Sequence, residues 1–174
     1  MEGNKKVYIH TLGCKLNFAE SSTLAREFEA GGFQRTTRSS EADICIINSC
    51  TVTEHADKKC RNIARKIHRE NPSAIIAITG CFAQLSPEEA ASVEGVDIVL
   101  GNNEKVNLFE KVSALTAKQS SPIVHSCSAE EISTFFASCS TGDRTRSFLK
   151  VQDGCDYKCA YCAIHYARGC SRNI

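Results

Sequence analysis

Short runs of apolar, mostly β-branched residues alternate along the chain with longer segments in which apolar residues recur every three or four positions. The short runs occupy 7–12, 44–48, 74–79 and 96–100, and the longer segments occupy 17–30, 53–70 and 104–115. A short continuous apolar run is typical of a strand buried on both faces, and the longer spacing predicts helices with one apolar side. The alternation predicts an α/β domain built on an open, doubly wound parallel sheet.

Boundary residues in the sequence support these helices. Ser86 is followed by a proline and two glutamates, a pattern that predicts a further short helix with Ser86 as its N-cap. Thr51 stands three positions before Glu54 in the same way. The pairs 31–32 (Gly-Gly) and 71–72 (Asn-Pro) follow helical segments and are typical of helix ends.

The pattern weakens between 118 and 146, where serine, threonine, alanine and cysteine predominate. We interpret 118–146 as a linker with one hairpin, between an N-terminal domain at 1–117 and a second unit at 147–174. The run 147–152 predicts a new strand, and a cysteine-rich loop leaves its C-terminal end. Loops at the C-terminal ends of strands carry the chemistry of βα-barrel folds.

Composition and charge exclude few classes of protein or partner. The chain has 174 residues, 42% of them hydrophobic and 24% charged, with a formal net charge of +1, so any nucleic-acid partner must be met by a local basic patch. The first residues lack the apolar core of a secretory signal, and no apolar run approaches the ~20 residues of a membrane span. We therefore expect a cytoplasmic protein without a membrane partner. The oligomeric state is not indicated.

Three of the eleven cysteines follow predicted strands. Cys14, Cys50 and Cys81 come after the first, second and third strands, and the carboxyl ends of parallel strands share one sheet edge. We expect these thiols to converge on one metal cluster, because a reducing compartment favours metal binding over disulfides. Gly13 and Gly80 allow the backbone to approach a cofactor closely. The alternative is that each cysteine is a small buried hydrophobic residue.

Three further cysteines have the spacing CxxxCxxC. Cys155, Cys159 and Cys162 can hold three irons of a [4Fe-4S] cube and leave the fourth iron open to another ligand. The alternatives are a zinc site completed by Cys170, or structural thiols. Zinc sites usually pair cysteines as two CxxC arms, which this spacing does not provide.

The remaining cysteines carry weaker signals. Cys45 lies inside a predicted strand and Cys60 on the apolar side of a predicted helix, so we interpret both as packing residues. The others, Cys127 and Cys139 together with Cys170, have no assigned role.

With both cysteine triads identified, the chain resembles the N-terminal part of the radical S-adenosylmethionine methylthiotransferases that modify tRNA. The resemblance extends over about 7–172 and is weak between 118 and 146. The motifs that carry it are Thr11-Leu-Gly-Cys-Lys-Leu-Asn17, Asn48-Ser-Cys-Thr-Val52, Gly80-Cys81, the segment 153–162, and Ala167-Arg-Gly169 with Ser171-Arg172. The ending Lys15-Leu16-Asn17 resembles the subgroup that acts on threonylcarbamoyladenosine next to the anticodon, whereas the isopentenyladenosine and ribosomal-protein subgroups usually differ there.

The resemblance implies two [4Fe-4S] clusters. Cys155, Cys159 and Cys162 would hold the cluster that binds S-adenosylmethionine, and an external electron donor would drive its cleavage to a 5′-deoxyadenosyl radical. Cys14, Cys50 and Cys81 would hold an auxiliary cluster that carries the sulfur. A second S-adenosylmethionine would methylate this sulfur before the methylthio group joins the base carbon from which the radical took hydrogen.

The sequence departs from the family's pattern in three ways. His165 stands where the family commonly has proline, Ala163 is smaller than the usual β-branched residue, and the chain ends at Ile174. We expect a fragment, truncated within the radical S-adenosylmethionine domain, that is inactive alone. The alternative is a stand-alone [4Fe-4S] binding module without radical chemistry.

The predicted helix at 53–70 is strongly basic. Lys58, Arg61, Arg65 and Arg69 recur at helical spacing on one side of it, which favours a surface that follows RNA phosphates or, equally, a solvated face. We expect charge reversal at Arg61 and Arg65 to weaken tRNA binding.

Overall fold

The fold is a three-layer α/β arrangement around one six-stranded parallel sheet. The computed structural model describes residues 5–51, 53–142 and 145–173; Val52 of the motif 48–52 and the terminal Ile174 lie outside these ranges. The strands are β1 (Lys6–Thr11), β2 (Gln34–Arg35), β3 (Ile44–Ser49), β4 (Ile75–Gly80), β5 (Ile98–Leu100) and β6 (Ile123–His125). The helices are α1 (Lys15–Ala30), α2 (Glu54–Glu70), α3 (Cys81–Leu85), α4 (Pro87–Ala91), α5 (Leu108–Ser113) and α6 (Ile164–Arg168), with 3₁₀ helices at Ser39–Glu41, Asn102–Asn107 and Ala129–Glu131.

The sheet confirms the predicted fold class. All neighbouring strands pair in parallel in the order β2-β1-β3-β4-β5-β6. The chain reverses its direction of winding between β1 and β3, which makes the crevice at their carboxyl ends the topological switch point. The predicted strands at 7–12, 44–48, 74–79 and 96–100 correspond to β1, β3, β4 and β5.

Helices cover both faces of the sheet. On one face α2, α3 and α4 pack on inward side chains such as Ile47 and Ile78. On the other face α1 and α5 pack through Leu24, Phe28 and Leu108. Strands covered on both sides must be apolar at nearly every position, which explains the continuous runs in the sequence.

The interpretation of 118–146 as a linker missed the last strand. Ile123–His125 pairs in parallel with β5 and extends the sheet by one strand. Only three residues long and at the sheet edge, this strand has one apolar pair, Ile123 and Val124, and therefore a weak pattern. A second correction concerns α2, whose N-cap is Thr53: its hydroxyl accepts a hydrogen bond from the amide of Ala56 at 3.2 Å.

The predicted strand at 147–152 does not form a regular strand. This segment pairs antiparallel with 138–140: the amide of Ser140 donates to the carbonyl of Phe148 at 2.8 Å, and the amide of Lys150 donates to Ser138 at 2.9 Å. The hairpin lies against α1, where the guanidinium of Arg26 donates to the Cys139 carbonyl at 2.7 Å. The C-terminal segment is thus joined to the N-terminal domain by direct contacts. Within the described ranges, no helix is long and apolar enough to cross a membrane.

Candidate metal centre

Cys14, Cys50 and Cys81 line one cavity of about 640 Å³ at the carboxyl edge of the sheet. Cys14 immediately precedes α1, Cys50 follows β3, and Cys81 is the first residue of α3. The cavity therefore lies across the switch point between β1 and β3, where open α/β sheets bind ligands. The structure brings together the three cysteines that the strand pattern placed at this edge.

Asn17 holds two of the cysteine loops in place. Its side-chain amide donates to the carbonyls of Leu12 and Ser49, both at 2.8 Å, so that one buried residue ties the end of β1 to the end of β3. The side-chain amide of Asn48 donates back to the Asn17 carbonyl at 3.0 Å. The bonds to Leu12 and Ser49 give partners to carbonyls at the ends of two strands, where buried backbone groups need them.

Gly13 is required by a close approach beside the cavity. It has a φ of +92°, and a Cβ atom there would lie 2.6 Å from the Sγ atom of Cys50. Any larger residue at position 13 would displace the Cys50 thiol. Gly80, with a φ of +95°, turns the chain from β4 directly into the helix that begins at Cys81.

Cys155, Cys159 and Cys162 lie on an irregular loop beside this cavity. Paired backbone hydrogen bonds between Asp153 and Arg172, at 2.9 and 2.8 Å, close the base of the loop. Cys155 lines a second cavity of about 280 Å³, which does not include the other two. The loop residues that line the first cavity are neighbours of the cysteines, among them Gly154 and Ala163. The structure thus places the loop of the second triad next to the first triad, with Cys155 on the wall of the second cavity.

A buried cluster of charged side chains joins the cysteine loop to α1 and to a 3₁₀ helix of the α/β domain. Glu20 of α1 is fully buried and contacts three cations: the ammonium of Lys105, the ammonium of Lys150 at 2.9 Å, and the guanidinium of Arg168 at 2.9 Å. Asp153 bridges two of the same cations, with Lys150 at 2.6 Å and Arg168 at 2.8 Å. We call these five residues the Glu20 cluster. They come from α1, a 3₁₀ helix, the segment before the cysteine loop, and α6.

Arg168 connects the Glu20 cluster to the cavity. It lines the cavity, and its guanidinium donates to the side-chain carbonyl of Asn17 at 2.6 Å. The same guanidinium contacts Glu20 and Asp153, so its planar fork serves three acceptors at once. Asn17 consequently links the backbone of two cysteine loops to the charged cluster.

The charged groups of the Glu20 cluster shift one another's pKa values. Burial alone would raise the pKa of Glu20, but Lys105, Arg168 and Lys150 together hold it well below its ordinary value. Burial acts against the charge of Arg168, yet Glu20, Cys81 and Asp153 raise the pKa of Arg168 well above its usual range. The pKa of Lys105 is lowered because burial outweighs the attraction of Glu20 and Cys81. Two cations of the cluster therefore respond to the charge of a cavity cysteine.

Comparisons with known proteins identify a family for the N-terminal part of the chain. The family described as "Uncharacterized protein family UPF0004" matches residues 6–101, a range that contains Cys14, Cys50 and Cys81. The chain belongs to this family.

Relatives of the UPF0004 chain carry functional names. It is 41% identical over 167 residues to "Threonylcarbamoyladenosine tRNA methylthiotransferase MtaB" of Thermotoga maritima, and 37% identical over 172 residues to the protein of that name from Bacillus subtilis. It is 32% identical over 186 residues to "tRNA-2-methylthio-N(6)-dimethylallyladenosine synthase" of Akkermansia muciniphila. These alignments include 95%, 96% and 97% of the chain, and the chain spans 37%, 37% and 41% of the respective relatives.

The donors at the cavity of this UPF0004 chain are three thiols that come from separate segments. Within the described ranges, no three His, Cys, Asp or Glu residues are arranged to hold one metal ion. An iron–sulfur cube separates its thiolates, because each one binds a different iron. Three thiols around a 640 Å³ cavity beside buried cations fit such an anionic group. Cys170, the fourth ligand in the zinc alternative, is exposed.

Cys45 and Cys60 lie in the core, as predicted from their positions on a strand and a helix. Both are fully buried, and burial raises the pKa of each thiol to about 12. Neither lines the cavity.

His165, where the resembled family has proline, lies on α6 and lines the second cavity. In the part of the chain that the structure describes, neither ring nitrogen has a hydrogen-bond partner.

Sequence reasoning missed the Glu20 cluster. Lys105 and Glu20 lie on helices and look like ordinary surface residues in the sequence. Their partners are 85 to 148 positions away, so no local pattern reveals the pairing. The one available signal was the motif Ala167-Arg-Gly169, whose arginine is the centre of the contact.

Proposed function

We propose that this UPF0004 chain holds two [4Fe-4S] clusters, one on Cys14, Cys50 and Cys81 and one on Cys155, Cys159 and Cys162. The observation that carries the proposal is the convergence of the first triad on one cavity at the switch point of the sheet. Residues 31 to 67 positions apart in sequence line this one space, which supports a shared ligand.

We further propose that the protein takes part in the methylthiolation of a modified adenosine in tRNA, with S-adenosylmethionine as cosubstrate. Relatives named for threonylcarbamoyladenosine are 34–41% identical to the chain, and those named for dimethylallyladenosine are 27% and 32% identical. This difference favours threonylcarbamoyladenosine as the substrate nucleoside. The chain spans less than half the length of these relatives, so turnover is proposed for the whole protein.

The chain's own residues have separable tasks. The second cluster would supply an electron for cleavage of S-adenosylmethionine, with an external donor as the source. The cysteines provide the thiolates, Asn17 fixes the loops of Cys14 and Cys50, and the bonds between Asp153 and Arg172 close the base of the second cysteine loop. Backbone constraints of this kind position a cofactor, while the cofactor carries the difficult chemistry.

The outward side of α2 is the surface we propose for RNA phosphates. Lys58, Lys59, Arg65, Lys66 and Arg69 are exposed on it. The predicted side included Arg61, which the structure corrects. Arg61 contacts Glu89 at 2.5 Å and lies over the ring of Phe82, so its charge is already engaged.

Anaerobic reconstitution with iron and sulfide tests the clusters. We expect about eight irons per chain, with a loss of about four in a Cys14→Ala/Cys50→Ala/Cys81→Ala variant and a loss of about four in the corresponding variant of the second triad. A Cys127→Ala/Cys139→Ala variant is the matched control and should bind iron like the wild type.

Other outcomes separate the alternatives. About four irons per chain, lost only with the first triad, would support a stand-alone cluster-binding module. A colourless protein that takes up zinc and no iron would contradict both cluster assignments.

A further inference from the structure

The Glu20 cluster carries more positive than negative charge. Among the described residues, its cations are Lys105, Lys150 and Arg168, and its anions are Glu20 and Asp153, each at most 5% exposed. Arg172, which contacts Asp153 at 3.3 Å and is 13% exposed, adds a fourth positive charge. Buried charges are costly unless they are compensated, so a nearby anion would stabilise this surplus.

The cavity is where that anion can be placed. Arg168 lies on the cavity wall together with Cys81. The 3₁₀ helix that carries Lys105 and the helix α6 that carries Arg168 both pack on α3, which begins at Cys81. Lys150 lies over the ring of Phe135, 5.2 Å from its centroid. Lys105 and Arg168 therefore bring positive charge to the side of the cavity where Cys81 lies.

We propose that Lys105 and Arg168 compensate the negative charge of the metal cluster bound at Cys81, and that Glu20 is the positioning residue that holds both cations beside it. This inference rests on the proposed cluster at Cys14, Cys50 and Cys81. A fixed positive charge near an iron–sulfur cluster favours its reduced state, because the reduced cluster carries one more negative charge. The Glu20 cluster thereby raises the reduction potential of this cluster and strengthens its binding.

Two lysines provide a matched comparison. Lys105 and Lys150 are both buried, and both contact Glu20. Methionine is similar in size to lysine but uncharged, so each substitution removes one positive charge. Either substitution leaves two cations for two anions among the five residues, so neither leaves an isolated buried carboxylate. They differ in their surroundings: the 3₁₀ helix of Lys105 packs on α3, which begins at Cys81, and Lys150 lies over the ring of Phe135.

The test is a redox titration, followed by electron paramagnetic resonance, of the reconstituted 174-residue chain with the second triad changed to alanine. We expect Lys105→Met to move the potential of the remaining cluster to more negative values, and Lys150→Met to move it by less than half as much. Lys105→Arg should restore the wild-type potential. Equal shifts in the two methionine variants, or no shift in Lys105→Met, would overturn the inference.

Folding and cluster binding are checked separately. Thermal unfolding is recorded for each variant, and Arg168→Lys is a second line of evidence if Lys105→Met does not fold. Arg168→Lys keeps the charge but loses the fork that reaches Asn17 and Asp153, so we expect a lower melting temperature with a smaller change in potential than in Arg168→Gln. Equal changes in potential for the two Arg168 variants would count against an electrostatic role.

If Cys14→Ala/Cys50→Ala/Cys81→Ala binds as much iron as the wild type, the proposed function itself fails, whatever the lysine variants show.

Discussion

The carboxylate of Glu20 on α1 accepts hydrogen bonds from the guanidinium of Arg168 on α6, at 2.9 and 3.3 Å, across 148 positions of sequence. Both side chains are nearly inaccessible to solvent. Through this contact the segment that carries the second cysteine triad is fixed to the first helix of the α/β domain. The stability of the two parts is therefore expected to be coupled.

Removing the carboxylate of Glu20 should destabilise the whole chain. Breaking a buried ion pair by changing one partner costs about 3–5 kcal/mol, because the remaining charges stay buried without compensation. We expect Glu20→Gln to lower the free energy of unfolding in urea by an amount in this range. Glu41→Gln is the control: Glu41 contacts Arg38 at the exposed surface, and its loss should leave the urea midpoint unchanged. Equal midpoints in the two variants would refute the prediction.

Acid should weaken the same contact. Because Lys105, Lys150 and Arg168 hold the pKa of Glu20 well below its unfolded value, the stabilisation is present above the unfolded value and is lost as the pH falls toward the folded one. The unfolded value of a glutamate is about 4.3. Between pH 5 and about 3, we expect the wild type to lose more unfolding free energy than Glu20→Gln. Parallel stability curves for the two proteins would show that Glu20 does not contribute.

The cavity cysteines and the Glu20 cluster differ in how far the sequence could reveal them. Apolar runs mark strands, the carboxyl ends of parallel strands share an edge, and Cys14, Cys50 and Cys81 each follow a run, so their convergence could be predicted. Glu20 has no such mark. A buried acid on a helix is indistinguishable from an exposed one until its cations are placed by tertiary structure.

Gly13 is expected to matter for iron binding because of the limited space beside it, and not only because of its φ angle. Gly13 and Gly32 have φ angles of +92° and +88°, so alanine at either position incurs the cost of a left-handed residue, about 1–2 kcal/mol. Only at Gly13 would the new Cβ collide with Cys50; at Gly32 no atom lies within 4 Å. We expect Gly13→Ala to reduce the iron bound after reconstitution, and Gly32→Ala to bind iron like the wild type despite a similar loss of stability. Equal iron contents would mean that the Cys50 loop tolerates the displacement.

Core and surface thiols should differ in reactivity. Burial raises the pKa of Cys45 and Cys60 to about 12, so only ~1 in 10,000 of these thiols is ionised at pH 8, and the thiolate is the reactive form. Cys14, Cys159 and Cys170 are exposed. Mass spectrometry after brief iodoacetamide treatment of the metal-free native chain should find these three modified and the two core thiols intact. Urea should make all of them reactive, and rapid native labelling of Cys60 would show that the α2 packing opens readily.

RNA binding by α2 should depend on the cations that the protein itself does not neutralise. In the described part of the chain, the cationic groups of Lys58, Arg65 and Arg69 have no carboxylate within 4 Å, whereas Arg61 is held by Glu89. Each cation that contacts a phosphate releases counterions, and its loss reduces the slope of log affinity against log salt by about 1. We expect Lys58→Glu/Arg65→Glu/Arg69→Glu to weaken tRNA binding and to reduce that slope by about 2–3, measured by filter binding between 50 and 200 mM salt.

The control is Lys111→Glu, on α5 at the opposite face of the sheet. It should have little effect on tRNA binding when compared with Arg65→Glu alone. If both single variants weaken binding equally, the effect comes from net charge and α2 is a solvated face; if only Arg65→Glu does so, α2 lies along the RNA backbone.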